Sequence, residues 1–160
     1  GCDYLLLRTT WVYAARGQNF VATMLRLFAE REQLRVVGDQ HGAPTWARNI
    51  ADATAGLICW AQAIAAAGDP VQRVYNLSAA GETTWHGFAE EIHRLAVQRW
   101  PDHPWKLREI EAIPTSAYPT PAARPHNSRL DGTLLAEETR VVMPHWRDAL
   151  VRCLEDRHAP

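Results

Sequence analysis

This 160-residue sequence has only three cysteines and no long hydrophobic run. Cys2, Cys59 and Cys153 are far apart and odd in number, which excludes a disulfide framework, argues against a zinc site and favours a reducing compartment. The longest apolar stretch, residues 61–67, is interrupted by Gln62 and falls short of the roughly 20 residues that a membrane span needs. The composition therefore argues against the disulfide-rich and membrane-spanning classes.

An excess of charge of one sign is also absent. The sequence has 17 basic and 18 acidic residues and a formal net charge of -1. Proteins that bind nucleic acids or membrane surfaces broadly need a patch of one sign, so we expect neither partner. This balance still leaves room for one small anion-binding pocket. Hydrophobic residues make up 47% and charged residues 22%, which is typical of a globular domain.

The usual catalytic motifs are missing as well. No G-x-G-x-x-G follows a predicted strand, no tyrosine is followed four residues later by lysine, and G-x-S-x-G and H-E-x-x-H do not occur. His86 and His93 are seven residues apart on one predicted helix, too far to share a metal ion without a bend. We therefore predict no catalytic residue and no metal site, and we expect both histidines to face solvent.

Short apolar runs alternate with longer amphipathic segments, which predicts an α/β fold with at least part of a parallel sheet. The first run, at the start of the chain, is typical of a strand covered on both faces, so we expect that further sequence precedes it. A sheet of three or four such strands would leave one edge or face uncovered. The predicted strands are 4–7, 34–37, 74–77 and 110–113, and the predicted helices begin near Asn19, Ile50, Thr84 and Trp146.

Three loop segments have the composition of a binding site. The first, residues 8–13, follows the carboxyl end of a predicted strand, where ligands bind in open α/β sheets. Trp11 and Tyr13 fit two roles equally well: stacking on a base or sugar ring, or covering the core. The second, residues 39–45, combines hydrogen-bonding side chains with Gly42, which allows close backbone approach.

The third segment, residues 118–131, is a proline-rich loop. Its Arg124 and Arg129 are able to bind phosphate through two hydrogen bonds each. Judged by residue types alone, a rigid surface connector with incidental salt bridges explains the same segment better.

In order and spacing, these segments resemble the dTDP-4-dehydrorhamnose reductase family of the extended short-chain dehydrogenase/reductases, over essentially the whole chain. The matching residues are Arg8-Thr9-Thr10-Trp11-Val12-Tyr13, Gly17-x-Asn19-Phe20, Asp39-Gln40-x-Gly42-x-Pro44-Thr45 and Arg124-Pro125-x-Asn127-Ser128-x-Leu130-Asp131. Residues 83–86 after Gly81 fit the family too.

The resemblance implies the C-terminal part of a Rossmann-like reductase, with its last core strands and its small substrate-binding domain, over residues 1–160. The whole enzyme would reduce the 4-keto group of dTDP-4-dehydro-L-rhamnose with NADPH or NADH, in the cytoplasm, as a homodimer. In the family the glycine-rich cofactor turn and the Tyr-x-x-x-Lys acid belong to the N-terminal half. We therefore expect the isolated chain to be inactive and to bind cofactor weakly or not at all.

The resemblance also implies roles for individual residues. Trp11 matches the tryptophan that contacts the deoxysugar, and Thr9 and Thr10 match residues near the nicotinamide. The remaining expected substrate-binding residues are Asn19 and Phe20 beneath the nucleotide, Asp39, Gln40 and Pro44 around the nucleotide pocket, and Arg124 and Asn127 as phosphate or loop anchors.

Some members of the family hold a divalent ion between subunits, but residues 46–49 of this chain lack the acidic residue often found there, so no metal is carried over. Three alternatives stay open. The chain fits another nucleotide-sugar reductase or epimerase, a non-catalytic relative similar to the regulatory subunit of methionine adenosyltransferase, or a self-associating remnant with an exposed sheet edge.

Overall fold

Strands and helices alternate along the chain in an α/β fold, in a computed structural model that describes residues 2–158. All of the predicted strands and helices form, and several short elements are added in the loops between them. In chain order the elements are β1 (Tyr4–Arg8), β2 (Val12–Tyr13), α1 (Phe20–Glu30), β3 (Gln33–Val37), β4 (His41–Gly42), β5 (Thr45–Trp46), α2 (Ala47–Ala66), β6 (Gln72–Asn76), β7 (Thr83–Thr84), α3 (Trp85–Arg99), β8 (Glu109–Ile113), α4 (Thr133–Thr139) and α5 (Trp146–Glu155).

The described strands form four separate pairs. β1 pairs with β6, β2 with β5 and β3 with β8, all in parallel, and β4 pairs with β7 in antiparallel orientation. The prediction of parallel pairing is confirmed, but the prediction of one sheet of three or four strands is wrong. Hydrophobic pattern identifies a strand without identifying its partner, and here each strand pairs with a segment far away in sequence.

The larger hydrophobic core lies between three helices. α3 packs against α1, α5 and the β3–β8 pair. α1 contributes Val21, Met24, Leu25 and Phe28, which lie on one helical face because they follow the i, i+3, i+4, i+7 spacing. α5 buries Trp146 completely in the same cluster. The three helices therefore form the base on which the loops after β1 and β3 rest.

A smaller core lies between α2, α4 and the β1–β6 pair. Leu57, Tyr75, Leu77 and Leu135 are its most buried members. The opposite face of this pair is open within the described residues, where Tyr4, Leu6 and Val74 are 47%, 48% and 39% exposed. The prediction that these strands leave one face uncovered in this chain is thus confirmed.

The helix starts predicted near Asn19 and Thr84 are confirmed, and both side chains cap their helices. The Asn19 side chain accepts a hydrogen bond from the Ala22 amide at 3.2 Å, and the Thr84 hydroxyl accepts one from the Gly87 amide at 3.0 Å. α2 begins at Ala47, three residues before the predicted start at Ile50. The prediction missed these residues because they carry no apolar pattern. α4 is missed by the sequence pattern since it is short and buries only Leu135 and Thr139.

Two expectations about polar residues need correction. His86 and His93 are only partly exposed: the His86 ring lies 2.9 Å from the Ile110 carbonyl oxygen, and His93 packs edge-on against Phe28. Burial lowers the pKa of His93.

Across residues 2–158, no helix is long and apolar enough to cross a membrane.

Candidate functional site

Thr9, Thr10 and Trp11 lie directly after the carboxyl end of β1. Thr9 is exposed and Thr10 is half-buried. Trp11 has a φ of 47°, the left-handed region, which is costly for a bulky residue and needs support from its surroundings. Part of that support is a backbone hydrogen bond at 3.1 Å, in which the Thr45 amide donates to the Trp11 carbonyl.

The indole of Trp11 is held between a second indole and a glycine. Trp85, the first residue of α3, stacks on it with ring centroids 3.7 Å apart and planes inclined by 12°. A Cβ atom at Gly42 would lie 2.5 Å from Cε2 of Trp11, 2.8 Å from Cζ2 and 2.9 Å from Cδ2. Since Cε2 is a ring-fusion carbon, these distances place Gly42 over a ring face. It must be the face away from Trp85, because Trp85 already fills the other.

This arrangement decides between the two roles predicted for the aromatic residues of the first segment. Both faces of Trp11 are covered, so the indole does not offer a stacking platform and instead presents its edge. Tyr13 is 1% exposed and belongs to the core, where burial raises the pKa of its hydroxyl. The core role is therefore confirmed for Tyr13.

Trp85 is itself fixed on two sides. Its indole N–H donates a 3.2 Å hydrogen bond to Oε1 of Gln40, and the ring of Phe20 packs against it at 4.7 Å. Gln40 is 7% exposed, and its Nε2 donates to the Thr115 hydroxyl at 3.1 Å. Both ends of the Gln40 amide are thus bonded inside the protein.

Asp39 binds a 3-10 turn at residues 115–117. Its carboxylate accepts two hydrogen bonds from the Thr115 amide and one, at 2.6 Å, from the Thr115 hydroxyl. These bonds hold the pKa of the Asp39 carboxyl below its usual value. The ring nitrogen Nδ1 of His126 lies 3.1 Å from the Asp39 carbonyl oxygen. Asp39 therefore contacts the chain just before the proline-rich loop, at Thr115, and within the loop, at His126.

The second end of the proline-rich loop is bonded to β4. The His41 amide donates to the His126 carbonyl, and the Ser128 amide donates to the His41 carbonyl, both at 2.8 Å. The Asn127 side chain accepts two bonds from Arg129, whose guanidinium also donates to Glu82 at 2.6 Å. Asn127 is thus a loop anchor in this structure.

The two arginines of the loop differ in availability. Arg129 is held by Asn127 and Glu82. Arg124 is exposed, and no side-chain hydrogen bond or salt bridge to it is found among residues 2–158. Of the pair, Arg124 is the cation whose guanidinium is open to an anionic ligand.

The remaining predicted residues shape the loops around this cluster. Asn19 caps α1 and also donates to the carbonyls of Ala14, Arg16 and Gly17, which closes the loop before the helix. Phe20 packs on Trp85. Pro44 is buried beside Thr45, whose hydroxyl accepts a hydrogen bond from the Ala79 amide at 3.1 Å.

The structure thus brings Trp11, Phe20, Asp39, Gln40 and Asn127 into one connected cluster. It also adds two residues for which no binding role was predicted: Trp85, which lies in the family match at residues 83–86, and Thr115. Trp85 had a detectable signal, an aromatic residue directly after a threonine cap, whereas nothing in the sequence around Thr115 indicates its contact with Asp39. No group of three metal-ligating side chains occurs in the described part of the chain.

The chemistry available in this cluster is hydrogen bonding and an aromatic edge, and the open cation, Arg124, lies on the same proline-rich loop as Asn127. Oδ2 of Asp39 and Nδ1 of His126 lie 3.8 Å apart, beyond the distance of a hydrogen bond. A shallow depression of about 550 Å³ elsewhere on the surface is lined by residues such as His93, Arg94 and Leu107, none of which belongs to this cluster. The arrangement is suited to holding a polar, anionic ligand rather than to transforming it alone.

Comparison with known proteins gives one family across the chain. The model of the RmlD substrate binding domain matches residues 1–159. A dTDP-4-dehydrorhamnose reductase of Burkholderia thailandensis is 49% identical over 160 residues, covering 98% of this chain and 52% of that protein. One from Escherichia coli K12 is 44% identical over 153 residues, covering 96% and 49%.

The fold agrees with this assignment. A crystal structure of dTDP-4-dehydrorhamnose reductase from Bacillus anthracis, in complex with NADP, superimposes with a TM-score of 0.79 at 29% identity, covering 98% of this chain and 49% of that one. The chain spans about half the length of the curated relatives it matches.

Proposed function

Because the chain belongs to the RmlD substrate binding domain family, we propose that it supplies the sugar-nucleotide-binding part of a dTDP-4-dehydrorhamnose reductase. The observation that carries the proposal is the convergence of the three segments that resemble the family. Residues 8–13, 39–45 and 126–129 are far apart in sequence, and direct contacts through Trp85, Gln40 and His41 connect them. The whole protein would reduce the 4-keto group of dTDP-4-dehydro-L-rhamnose to give dTDP-L-rhamnose.

In this proposal, each residue binds or orients the ligand. The edge of Trp11 contacts the deoxysugar, and Arg124, the open cation of the loop, pairs with the diphosphate. Asn19, Asp39 and Asn127 shape the nucleotide pocket through the loops that they hold, since their side chains are bonded within the protein. Phe20 provides an apolar surface, and the buried Pro44 shapes the 39–45 segment.

The acid and the cofactor site of the reductase belong to another part of the full-length protein. Lys106 is the only lysine of the sequence, and Asp102 stands four residues before it, so this chain holds no Tyr-x-x-x-Lys pair. NADPH or NADH needs a glycine-rich turn that this chain does not contain, and Thr9 and Thr10 provide only hydroxyls at the edge of such a site.

The domain boundary follows from the same reasoning. We propose that residues 1–160 form the C-terminal portion and that the dinucleotide-binding portion packs on the β1–β6 pair. The exposed side chains of Tyr4, Leu6 and Val74 support this, because an apolar sheet face needs a cover. A cytoplasmic location and a homodimer of the full-length protein are further proposals, which rest on the family resemblance.

Turnover tests the proposal. The full-length protein should oxidise NADPH in the presence of dTDP-4-dehydro-L-rhamnose, and UDP- or GDP-linked 4-keto sugars should be poorer substrates. The isolated 160-residue segment, assayed in parallel, should show no activity. Equal turnover of a UDP-linked sugar would favour the alternative reductase or epimerase, binding without turnover would favour a non-catalytic relative, and NADPH oxidation by the segment alone would contradict the division of labour.

A further inference from the structure

Trp85 covers one face of Trp11 without being part of the predicted binding segments. It reaches this position because Thr84 caps α3, so that the first helical residue projects toward the loop after β1. Its indole N–H is fixed on Gln40, and Gln40 is fixed on Thr115. The position and tilt of the Trp85 ring are therefore set by hydrogen bonds to Gln40 and, through it, to Thr115, and not by Trp11.

Trp11 needs such a support more than most aromatic residues do. Its φ of 47° is a conformation that a bulky side chain adopts only where the surroundings hold it there. Gly42 lies against one face and leaves no room for movement in that direction, since even a single added carbon there would be 2.5 Å from the ring. Trp85 is the wall on the other face, so the pair of contacts fixes which edge Trp11 presents.

We propose that Trp85 is a positioning residue for Trp11, and that Gln40 acts through the indole of Trp85 rather than by touching the ligand. The proposal rests on the proposed function, in which the edge of Trp11 contacts the sugar. It departs from the expectation that Gln40 binds substrate, because both ends of the Gln40 amide are occupied and the side chain is 7% exposed. Neither Trp85 nor Gln40 is a catalytic residue.

A purely structural role for Trp85 is the competing explanation. Trp85 also packs on the main core, so its removal destabilises the protein whatever it does for Trp11. The two explanations differ in their dependence on Trp11. A positioning residue has no effect once the side chain that it positions is gone, whereas a structural residue has the same effect in both backgrounds.

A double-mutant cycle in the full-length protein separates them. Trp85→Ala in the wild-type background should lower kcat/KM for the dTDP-sugar by about ten- to hundredfold, since small misplacements of a contact group cost that much. In a Trp11→Ala background the same substitution should change kcat/KM by less than about twofold. Gln40→Ala should follow the same pattern. The KM for NADPH should stay unchanged throughout.

Two further variants sharpen the cycle. Trp85→Phe keeps an aromatic ring on Trp11 but loses the N–H bond to Gln40 and part of the stacked area, so its loss should be intermediate. Trp105→Ala is the matched control, because Trp105 is also half-buried on the main core and donates an indole N–H bond, to the Trp100 carbonyl at 3.1 Å, without contacting Trp11. This control should leave the KM for the dTDP-sugar unchanged.

Equal losses from Trp85→Ala in both backgrounds would overturn the proposal, and so would a loss of the same size in Trp105→Ala. A wild-type protein that does not turn over the dTDP-sugar would instead contradict the proposed function. The cycle would then be scored by near-ultraviolet circular dichroism of the ligand-free protein. There Trp11→Ala, Trp85→Ala and the double variant should lose the same band, and additive losses would overturn the positioning role.

Discussion

Replacement of Gly42 by alanine tests the packing around Trp11 most directly. The added Cβ would lie 2.5 Å from Cε2 of Trp11, so the indole would have to retreat by about 1 Å to restore ordinary contact. The stacked ring of Trp85, with its centroid 3.7 Å away, blocks that retreat. Trp11 must then leave the stack, or Trp85 must move and break its bond to Gln40.

The expected cost follows from this collision. Overpacking at a tight contact destabilises a protein by about 1–3 kcal/mol, and the loss of an aromatic pair accounts for about 0.5–1.5 kcal/mol of it. The backbone at Gly42 lies outside the left-handed region, so alanine brings no conformational strain and the effect is purely steric. The near-ultraviolet circular dichroism of the full-length protein should change together with its unfolding midpoint in urea.

Gly56→Ala is the matched control for this experiment. Gly56 lies inside α2, where the nearest atom to an added Cβ is a methyl carbon of Val141 at 4.0 Å. Alanine should stabilise the helix by about 0.5–1 kcal/mol and leave the near-ultraviolet spectrum unchanged. A Gly42→Ala protein with the stability and spectrum of the wild type would refute the packing described around Trp11.

Three further predictions concern other bonds of the structure. Asn19→Ala should cost about 1–2 kcal/mol in urea unfolding because it removes a helix cap, and Asn19→Asp, which keeps the cap but loses the donors, should cost less. Tyr75 donates a 2.5 Å hydrogen bond to Glu138, and burial together with this carboxylate raises its pKa to about 12. The hydrogen bond from the protonated Tyr75 hydroxyl stabilises the fold fully below pH 10, and this stabilisation is lost as pH rises toward 12. The difference in unfolding midpoint between wild type and Tyr75→Phe should therefore narrow across that range. Because the pKa of Asp39 is lowered, its ionised carboxylate stabilises the fold above about pH 4, and this stabilisation is lost at lower pH. Hydrogen exchange at the Thr115 amide should therefore gain an acid-dependent opening that Asp39→Asn lacks.

Local rules predict the elements of this fold well and their partners poorly. The caps at Asn19 and Thr84 form because a short polar side chain before an apolar helical pattern satisfies free amides of the first turn. The same rules cannot say that β1 pairs with β6 or which face of the pair is open, since both depend on distant chain segments. The residue types of Trp11 and Tyr13 could not show which ring is in the core.

The candidate site shows the same division. Sequence resemblance selected the three segments that the structure brings together. It assigned Asp39, Gln40 and Asn127 to substrate, whereas each of these side chains is bonded to other residues of the chain. The contacts that determine the shape of the site involve Trp85 and Thr115, which contact the segments only after folding. Direct ligand contacts for these residues stay predictions.

The pairing of every described strand with a remote partner has a consequence for how fast the protein folds. The Gln33 and Glu109 side chains, bonded across the β3–β8 pair, are 76 residues apart in the chain, and the Val71 amide and Asp3 carboxylate beside the β1–β6 pair are 68 apart. Neither of these two strand pairs is a hairpin, so a large loop must close before its first sheet hydrogen bond forms. The chain therefore loses the entropy of loop closure before any strand contact compensates for it. The helices, whose contacts are local, form first. Refolding should therefore show helical circular dichroism well before the near-ultraviolet signal of the Trp11–Trp85 stack.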